Sequence, residues 1–169
     1  MLNRYIFRKL LLVTMLSFFF AKSNASASDV TGAPNRPSVR ADSVSNQNVS
    51  VVKITIKVAG NELHATLADN PTAREFAALL PVSVSMEDLF GREKAGPLPR
   101  AISTAGPHSD IYNVGDIGYW SPGHDIAIYY RQDGDRIPSP GIINIGHIDS
   151  GVAAFNVPDS VKVIIERTR

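Results

Sequence analysis

Two neighbouring segments in which polar and apolar residues alternate strictly constrain the fold of this 169-residue chain more than any other feature. They cover residues 53–58 and 62–67, and a Gly-Asn pair at residues 60–61 lies between them. A period of two places the apolar side chains on one face, which is typical of a strand with one buried side. A two-residue turn at the Gly-Asn pair predicts a hairpin in which Val58 faces Leu63. A slip of one residue would turn every apolar side chain to water.

The remaining chain indicates several short strands and one short helix. Asn70 is suited to cap a helix that begins at Pro71 and ends before Pro81. Residues 89–114 are rich in Gly and Pro and show no period, which predicts a long irregular stretch. Further strands are predicted over residues 82–86, 116–120, 126–130, 142–148 and 161–166. Seven or so strands with one or two short helices indicate a mainly β protein that closes into a barrel.

The first 27 residues have the pattern of a secretory signal peptide. Three basic side chains, Arg4, Arg8 and Lys9, precede an apolar run over residues 10–21. This run is shorter than the roughly 20 residues that a membrane-spanning helix needs. The tripeptide at residues 25–27, Ala-Ser-Ala, suits cleavage by a signal peptidase. We therefore expect an exported protein, periplasmic or secreted, without stable membrane insertion after cleavage; the alternative is an uncleaved anchor.

The expected mature chain consists of a linker and one mildly acidic domain. Residues 28–50 are polar and lack a period, which predicts a flexible linker before a domain over residues 51–169. The signal segment holds four basic and no acidic residues, so 13 basic and 16 acidic residues remain and the net charge is −3. Non-specific nucleic-acid binding needs an excess of Lys and Arg, so no nucleic-acid partner is expected.

The residue inventory excludes several kinds of site. The chain has no cysteine, which excludes disulfides, a thiolate nucleophile and zinc held by cysteine. No two histidines have the spacing of metal ligands on a helix, so neither a metal nor another cofactor is predicted. The four histidines are His64, His108, His124 and His147. Asp110, Asp116 and Asp125 could supply an acid and a base, although Asp116 after a glycine is more typical of a turn.

Three segments carry a resemblance to a known family. They are residues 88–94 (Asp-Leu-Phe-Gly-Arg-Glu-Lys), residues 115–123 with 125–130, and residues 145–151. On these segments the chain resembles the small bacterial cyclophilin-like domain family, over about residues 52–168. The resemblance implies a compact cyclophilin-type β-barrel whose biochemical role is largely unassigned.

The resemblance to true cyclophilins, the prolyl isomerases, is fainter. Residues 143–151 are similar to their Phe-Gly-Lys-Val…Gly segment, and residues 128–129 fall where they carry a Phe-Phe pair. Their Phe-x-x-Gln-Gly-Gly-Asp motif is absent, and no Trp or His lies within residues 131–145. The isomerase arginine would have to be Arg92 or Arg100. Because the loss of one preorganised donor costs about 3 kcal/mol of transition-state stabilisation, a divergent isomerase is the alternative hypothesis and not the first.

Aromatic residues near the middle of the chain provide the candidate ligand site. Alternation sends Tyr119 and Trp120 to opposite faces of one strand and separates Tyr129 from Tyr130 in the next. One member of each pair would fill the barrel, while the other would line an outer groove that suits a peptide or a small ligand. The predicted ligand-binding residues are Arg92, Tyr112, Tyr119, Trp120, His124 and Tyr129.

Three functional hypotheses remain open on the sequence. The first is an exported binding domain without catalysis, and the second is the divergent prolyl isomerase. The third is an interaction subunit that offers the edge of a strand to a partner.

Overall fold

An eight-stranded antiparallel barrel forms the body of the protein. The computed structural model describes residues 51–169. In chain order the elements are β1 (Lys53–Val58), β2 (Asn61–Leu67), α1 (Pro71–Leu79), β3 (Val82–Leu89), β4 (Glu93–Pro97), β5 (His108–Ser109), β6 (Asp116–Trp120), β7 (Asp125–Tyr129), β8 (Ile142–Ile148), a 3-10 helix (Val152–Phe155) and β9 (Val161–Arg167). The strand order is β2-β1-β9-β3-β4-β7-β6-β8, and pairing of β2 with β8 closes the ring. The predicted closed barrel with one or two short helices is confirmed.

Closure leaves little free strand edge. Each of the eight barrel strands pairs on both sides within residues 51–169, while β5 pairs only with β8. The edge-strand hypothesis would therefore have to rely on a strand of two residues in the described part of the chain. The predicted signal peptide over residues 1–27 and the predicted linker over residues 28–50 lie outside the described residues.

The first hairpin forms where the alternation predicts it, but its predicted register is wrong by two residues. The turn is Ala59-Gly60, so Val58 pairs with Asn61 and not with Leu63. Both turn residues have positive φ, 48° and 77°, as a type I′ turn requires. A shift of two residues keeps every side chain on its face, so the apolar pattern is satisfied by either register.

The helix α1 is also built as its sequence predicts. The side chain of Asn70 accepts a hydrogen bond from Ala73 N at 2.9 Å and donates one to Asn144 O at 2.9 Å, which fastens the helix start to β8. Phe76, fully buried, inserts from α1 into the barrel core. No helix among residues 51–169 is long and apolar enough to cross a membrane.

The segment predicted to be irregular contains two strands, and that prediction is wrong over β4 and β5. The strand β4 has the sequence Glu-Lys-Ala-Gly-Pro and shows no apolar alternation. Its two charged residues are nevertheless buried, with Glu93 6% and Lys94 0% exposed, as is Arg92 just before the strand at 4%. Because charged side chains are almost never fully buried unless they are paired, this composition gives no strand signal. The predicted strand over residues 82–86 continues to residue 89.

Lys94 is buried at one end of the barrel, where three oxygens receive its ammonium group. Its Nζ lies 3.1 Å from Asp88 Oδ2, 2.6 Å from Val157 O and 2.7 Å from Asp159 O. An ammonium group has three donors, so all of them are satisfied. Asp88 also accepts a hydrogen bond from Tyr130 at 2.6 Å, and burial together with this bond raises the pKa of Tyr130 to about 12. The network joins β3, β4 and the segment before β9.

We expect Lys94→Met to destabilise the protein strongly, because it leaves a carboxylate and two carbonyls without their donor. The expected loss in the free energy of unfolding is about 3 kcal/mol, the low end for a broken buried pair. The low end applies because the Asp88 side chain is 31% exposed. Urea unfolding measures the change.

Lys162→Met is the matched control, because Lys162 is exposed on β9. Its effect should lie within about 0.5 kcal/mol. Equal effects of the two substitutions would contradict a supporting role for the buried lysine.

Candidate functional site

A second cluster of buried residues covers the outer face of β4, β6, β7 and β8. We call it the outer cluster; its buried members are Ala95, Tyr112, Ala127, Tyr129, Ile137 and Ile142, with Leu89 and Trp120 packed against it. The rings of Tyr112 and Tyr129 are stacked, with centroids 4.2 Å apart. Three of the six predicted ligand-binding residues, the two tyrosines and Trp120, therefore lie in or against one cluster.

Arg92 adjoins the outer cluster and is held by carboxylates. Its guanidinium carbon lies 5.6 Å from the ring centroid of Tyr112. Its Nη1 donates to Asp133 at 2.9 and 3.2 Å, and its Nε lies 3.7 Å from Glu93 Oε1. Burial raises the pKa of Tyr129 far above its ordinary value, and the charge of Glu93 and a hydrogen bond to it act in the same direction. Charged side chains and tyrosine rings are therefore in direct contact beside the outer cluster.

A loop that we call the strap, residues 131–137, crosses the outer cluster. Asp133 anchors it, because this carboxylate accepts from Arg92 and, at 2.9 Å, from the hydroxyl of Tyr112. At the far end, Ile137 packs into the cluster and its N donates to Asp110 O at 2.8 Å. Partial burial opposes ionisation of Asp133, but hydrogen bonds from Asp135 N, Tyr112 and Arg92 outweigh it and lower its pKa.

The other predicted site residues lie elsewhere. Tyr119 is fully buried in the barrel interior, where its hydroxyl accepts from Ile102 N at 3.2 Å. His124 is exposed in the turn between β6 and β7 and has a φ of 56°. The structure thus brings together Arg92, Tyr112 and Tyr129, with Trp120 at the edge, and separates the other two residues from them. Whether any of the six contacts a ligand remains a prediction.

The expected placement of the paired aromatic residues on opposite faces is confirmed, although Tyr129 is 1% exposed rather than open to a groove. Tyr119 and Tyr130 belong to the barrel core, whereas Trp120 and Tyr129 belong to or pack against the outer cluster. Alternation along β6 and β7 is sufficient for this assignment.

Phe90, which the sequence analysis did not select, is the most exposed aromatic side chain near the outer cluster. It is 60% exposed, and its ring centroid lies 5.1 Å from the guanidinium carbon of Arg92. Phe90 and Gly91 both have positive φ, 59° and 65°, in the turn between β3 and β4. A bulky residue in this region is strained, and such strain persists where the surrounding structure imposes it. A Phe-Gly pair between two strands was the available signal, but the second strand had not been recognised.

The two arginines considered for an isomerase do not converge. Arg92 precedes β4 and is bound to Asp133, whereas Arg100 follows β4 at its other end. Arg100 donates to Ala101 O at 3.0 Å and lies 3.7 Å from Glu75. Within residues 51–169 no group of three or more His, Asp or Glu side chains is arranged to hold a metal ion.

Two solved structures share the fold of this barrel. The solution structure of the hypothetical protein AF2241 from Archaeoglobus fulgidus is 24% identical, with a TM-score of 0.56 over 70% of this chain and 95% of that one. The structure of McbB in complex with tryptophan is 11% identical, with a TM-score of 0.52 over 68% of this chain and 44% of that one. At these identities the likeness concerns the fold alone.

The sequence itself assigns the family. The model of the Cyclophilin-like family matches residues 56–166, which is more than half of the chain. This protein belongs to the cyclophilin-like family. The curated proteins contain no match to the sequence.

The lowered pKa of Asp133 predicts how the strap contributes to stability as the pH changes. A carboxyl group whose pKa is lower in the folded state stabilises that state above its unfolded pKa, and this contribution disappears as the pH falls through the folded pKa. We expect Asp133→Asn to be less stable than wild type at about pH 7. The difference should shrink below the ordinary aspartate pKa of about 3.9 and vanish in stronger acid.

Urea unfolding over a series of pH values measures this difference. Asp135→Asn is the control, because Asp135 lies in the same loop and contributes its backbone N, but no side-chain bond, to Asp133. A difference between wild type and Asp133→Asn that does not change with pH would contradict the assigned role.

Proposed function

We propose that this protein is an exported binding domain that holds a peptide or a small ligand against the outer cluster without catalysing a reaction. The observation that carries the proposal is Phe90, an aromatic side chain that is 60% exposed in a strained turn beside the buried Arg92. A large apolar side chain held rigidly at the surface is typical of a contact residue, because a partner buries it at little cost in conformational entropy.

Two further exposed apolar residues extend this surface. Ile111 is 61% exposed and directly precedes the buried Tyr112, and Val114, two residues after Tyr112, is 41% exposed. Arg92 lies within 6 Å of the rings of both Phe90 and Tyr112 and therefore connects the two parts of the surface. Exposed apolar residues that cluster, rather than occurring singly, mark interaction sites on soluble proteins.

The charges beneath this surface favour binding over catalysis. The guanidinium group of Arg92 faces Asp133 and Glu93, so its positive charge is largely neutralised. Its planar group instead supports Phe90 through a cation–π contact. A prolyl isomerase needs a cationic donor directed at the substrate, and Arg92 in this arrangement directs Nη1 at the strap.

Selection from a displayed peptide library against the full mature protein provides the probe for this proposal. Peptides that bind wild type should lose about tenfold or more in affinity to Phe90→Ala, as expected for an aromatic contact of central importance. Ile164→Ala is the matched control, because Ile164 is 38% exposed on β9, far from the outer cluster in strand order. Titration can follow the fluorescence of Trp120, which is the only tryptophan of the chain.

Three outcomes would contradict the proposal. The first is a library without binders, and the second is equal loss of affinity in the two variants. The third is that the pure protein accelerates cis–trans isomerisation of a Xaa-Pro peptide and that Arg92→Ala or Arg100→Ala abolishes this activity. That result would establish the isomerase instead.

Export is the second part of the proposal and rests on the sequence of the first 27 residues. Expression with the natural N-terminus in a bacterial host should yield a mature chain that begins at Ser28, as mass spectrometry of the exported fraction can show. Ala27→Phe should block this cleavage, because signal peptidase requires a small residue at that position. Full-length wild-type chain recovered in the membrane fraction would indicate the uncleaved anchor.

A further inference from the structure

A carboxylate and a histidine are in contact on the barrel surface where β6 pairs with β8. Asp116 of β6 and His147 of β8 are partners in the β6–β8 pairing, and His147 Nδ1 lies 3.0 Å from Asp116 Oδ1. The other carboxylate oxygen accepts from Asn113 N at 2.8 Å and from its Nδ2 at 3.4 Å. The Asp116 side chain is 10% exposed, whereas the His147 side chain is 53% exposed. Asp116 is therefore the buried member of the pair, and His147 is accessible to solvent.

The carboxylate determines which nitrogen of His147 carries the proton. An ionised carboxyl group can only accept hydrogen bonds, so Nδ1 must donate to it. A neutral imidazole carries one proton, and Nε2 is then left with its lone pair. Among the described residues, the hydrogen bonds of this ring involve Nδ1 and not Nε2. The tautomer is the one that an orienting aspartate imposes on a reactive histidine.

Gly115 lies against one side of this ring, where there is no room for a larger side chain. Its φ is +100°, and a Cβ added to it would come within 2.7 Å of His147 Cε1 and 3.0 Å of Nε2. Any larger residue would therefore press on the ring at the nitrogen that carries the lone pair. The predicted turn role of Asp116 is confirmed by its hydrogen bond from Asn113 N. The contact of Gly115 with His147 arises from a strand that is distant in sequence.

The charges around His147 determine which reagents the surface attracts or repels. Thr66 of β2 is the pairing partner of His147, and Lys53 of β1 is in turn the partner of Thr66. The Lys53 ammonium lies 3.3 Å from Asp149 Oδ2, and Thr66 donates to the same carboxylate at 3.1 Å. Since Asp149 neutralises Lys53, Asp116 leaves this surface with a net negative charge. Anionic phosphoryl donors are repelled by such a surface, whereas neutral acyl donors are not.

We propose that His147 is a nucleophilic site for small neutral acyl donors, with Asp116 as its positioning residue. The Nε2 lone pair attacks the acyl carbon, the C–N bond forms, and the bond from carbon to the leaving oxygen breaks. Asp116 stabilises the positive charge that develops on the ring. The proton of Nδ1 then leaves with the departing alcohol, and the product is an acylated imidazole. This site is independent of the outer cluster and of the proposed ligand binding.

Diethyl pyrocarbonate is the probe, because it carries a neutral acyl carbon and converts the imidazole into an ethoxycarbonyl derivative with release of ethanol and carbon dioxide. Limited reaction of the full mature protein near pH 8, above the ordinary histidine pKa of about 6.5, is followed by peptide mapping of each histidine. We expect His147 to react about tenfold faster than His124, which is exposed but has no carboxylate on its ring among the described residues.

Asp116→Asn tests the positioning role. The asparagine amide can donate to Nδ1 and thereby favour the tautomer that places the proton on Nε2, so the rate at His147 should fall about tenfold. His124 in the same sample is the internal control, since its rate should not change. An equal change at both histidines would indicate that the substitution alters the fold. In that case the measurements on wild type decide whether the proposal holds.

Nitrogen-15 NMR of the wild-type imidazoles provides that decision. The expected spectrum has a protonated Nδ1 and an unprotonated Nε2 at His147. A proton on Nε2, or a rate at His147 no greater than that at His124, would overturn the proposal.

Discussion

The burial of three consecutive charged side chains is the constraint on which the rest of this structure depends. Arg92, Glu93 and Lys94 are each at most 6% exposed. Removing an ion from water without a partner costs several kcal/mol, so each needs an opposite charge or hydrogen-bond partners within reach. Asp133 supplies this partner on the outer side of the barrel, whereas Asp88 and two carbonyls supply it at the barrel end. The strap is therefore held by Arg92, just before β4, and the segment before β9 is held by Lys94 of β4.

Much of the fold could be predicted because local rules and tertiary structure agree there. Alternation alone identifies β1, β2 and the opposite faces of Tyr119 and Trp120. Asn70 caps α1 because a side-chain oxygen at that position satisfies a free N–H of the first turn. The hairpin register was missed because a shift of two residues preserves the pattern, and only the conformation of Ala59-Gly60 decides it.

The candidate site was harder to predict, for a physical reason. Arg92, Tyr112 and Tyr129 come together as expected, but the strap that covers them is held by Asp133, more than 40 residues after its arginine partner. Apolar alternation cannot identify a strand whose buried residues are charged, so β4 was not predicted. Without β4, no turn between two strands was predicted at Phe90. The pairing of Asp116 with His147 was missed likewise, since the two residues meet only through the β6–β8 register.

The order of strands around the barrel also bears on how quickly the native state is reached. β1 lies between β2 and β9, so its second neighbour is more than 100 residues away in sequence. β9 must therefore be synthesised before the sheet can be completed, and the seam between β2 and β8 likewise joins residues about eighty positions apart. Topologies dominated by such distant pairings fold over milliseconds to seconds rather than microseconds. A nascent chain of this kind therefore keeps unpaired strands until β9 has been synthesised.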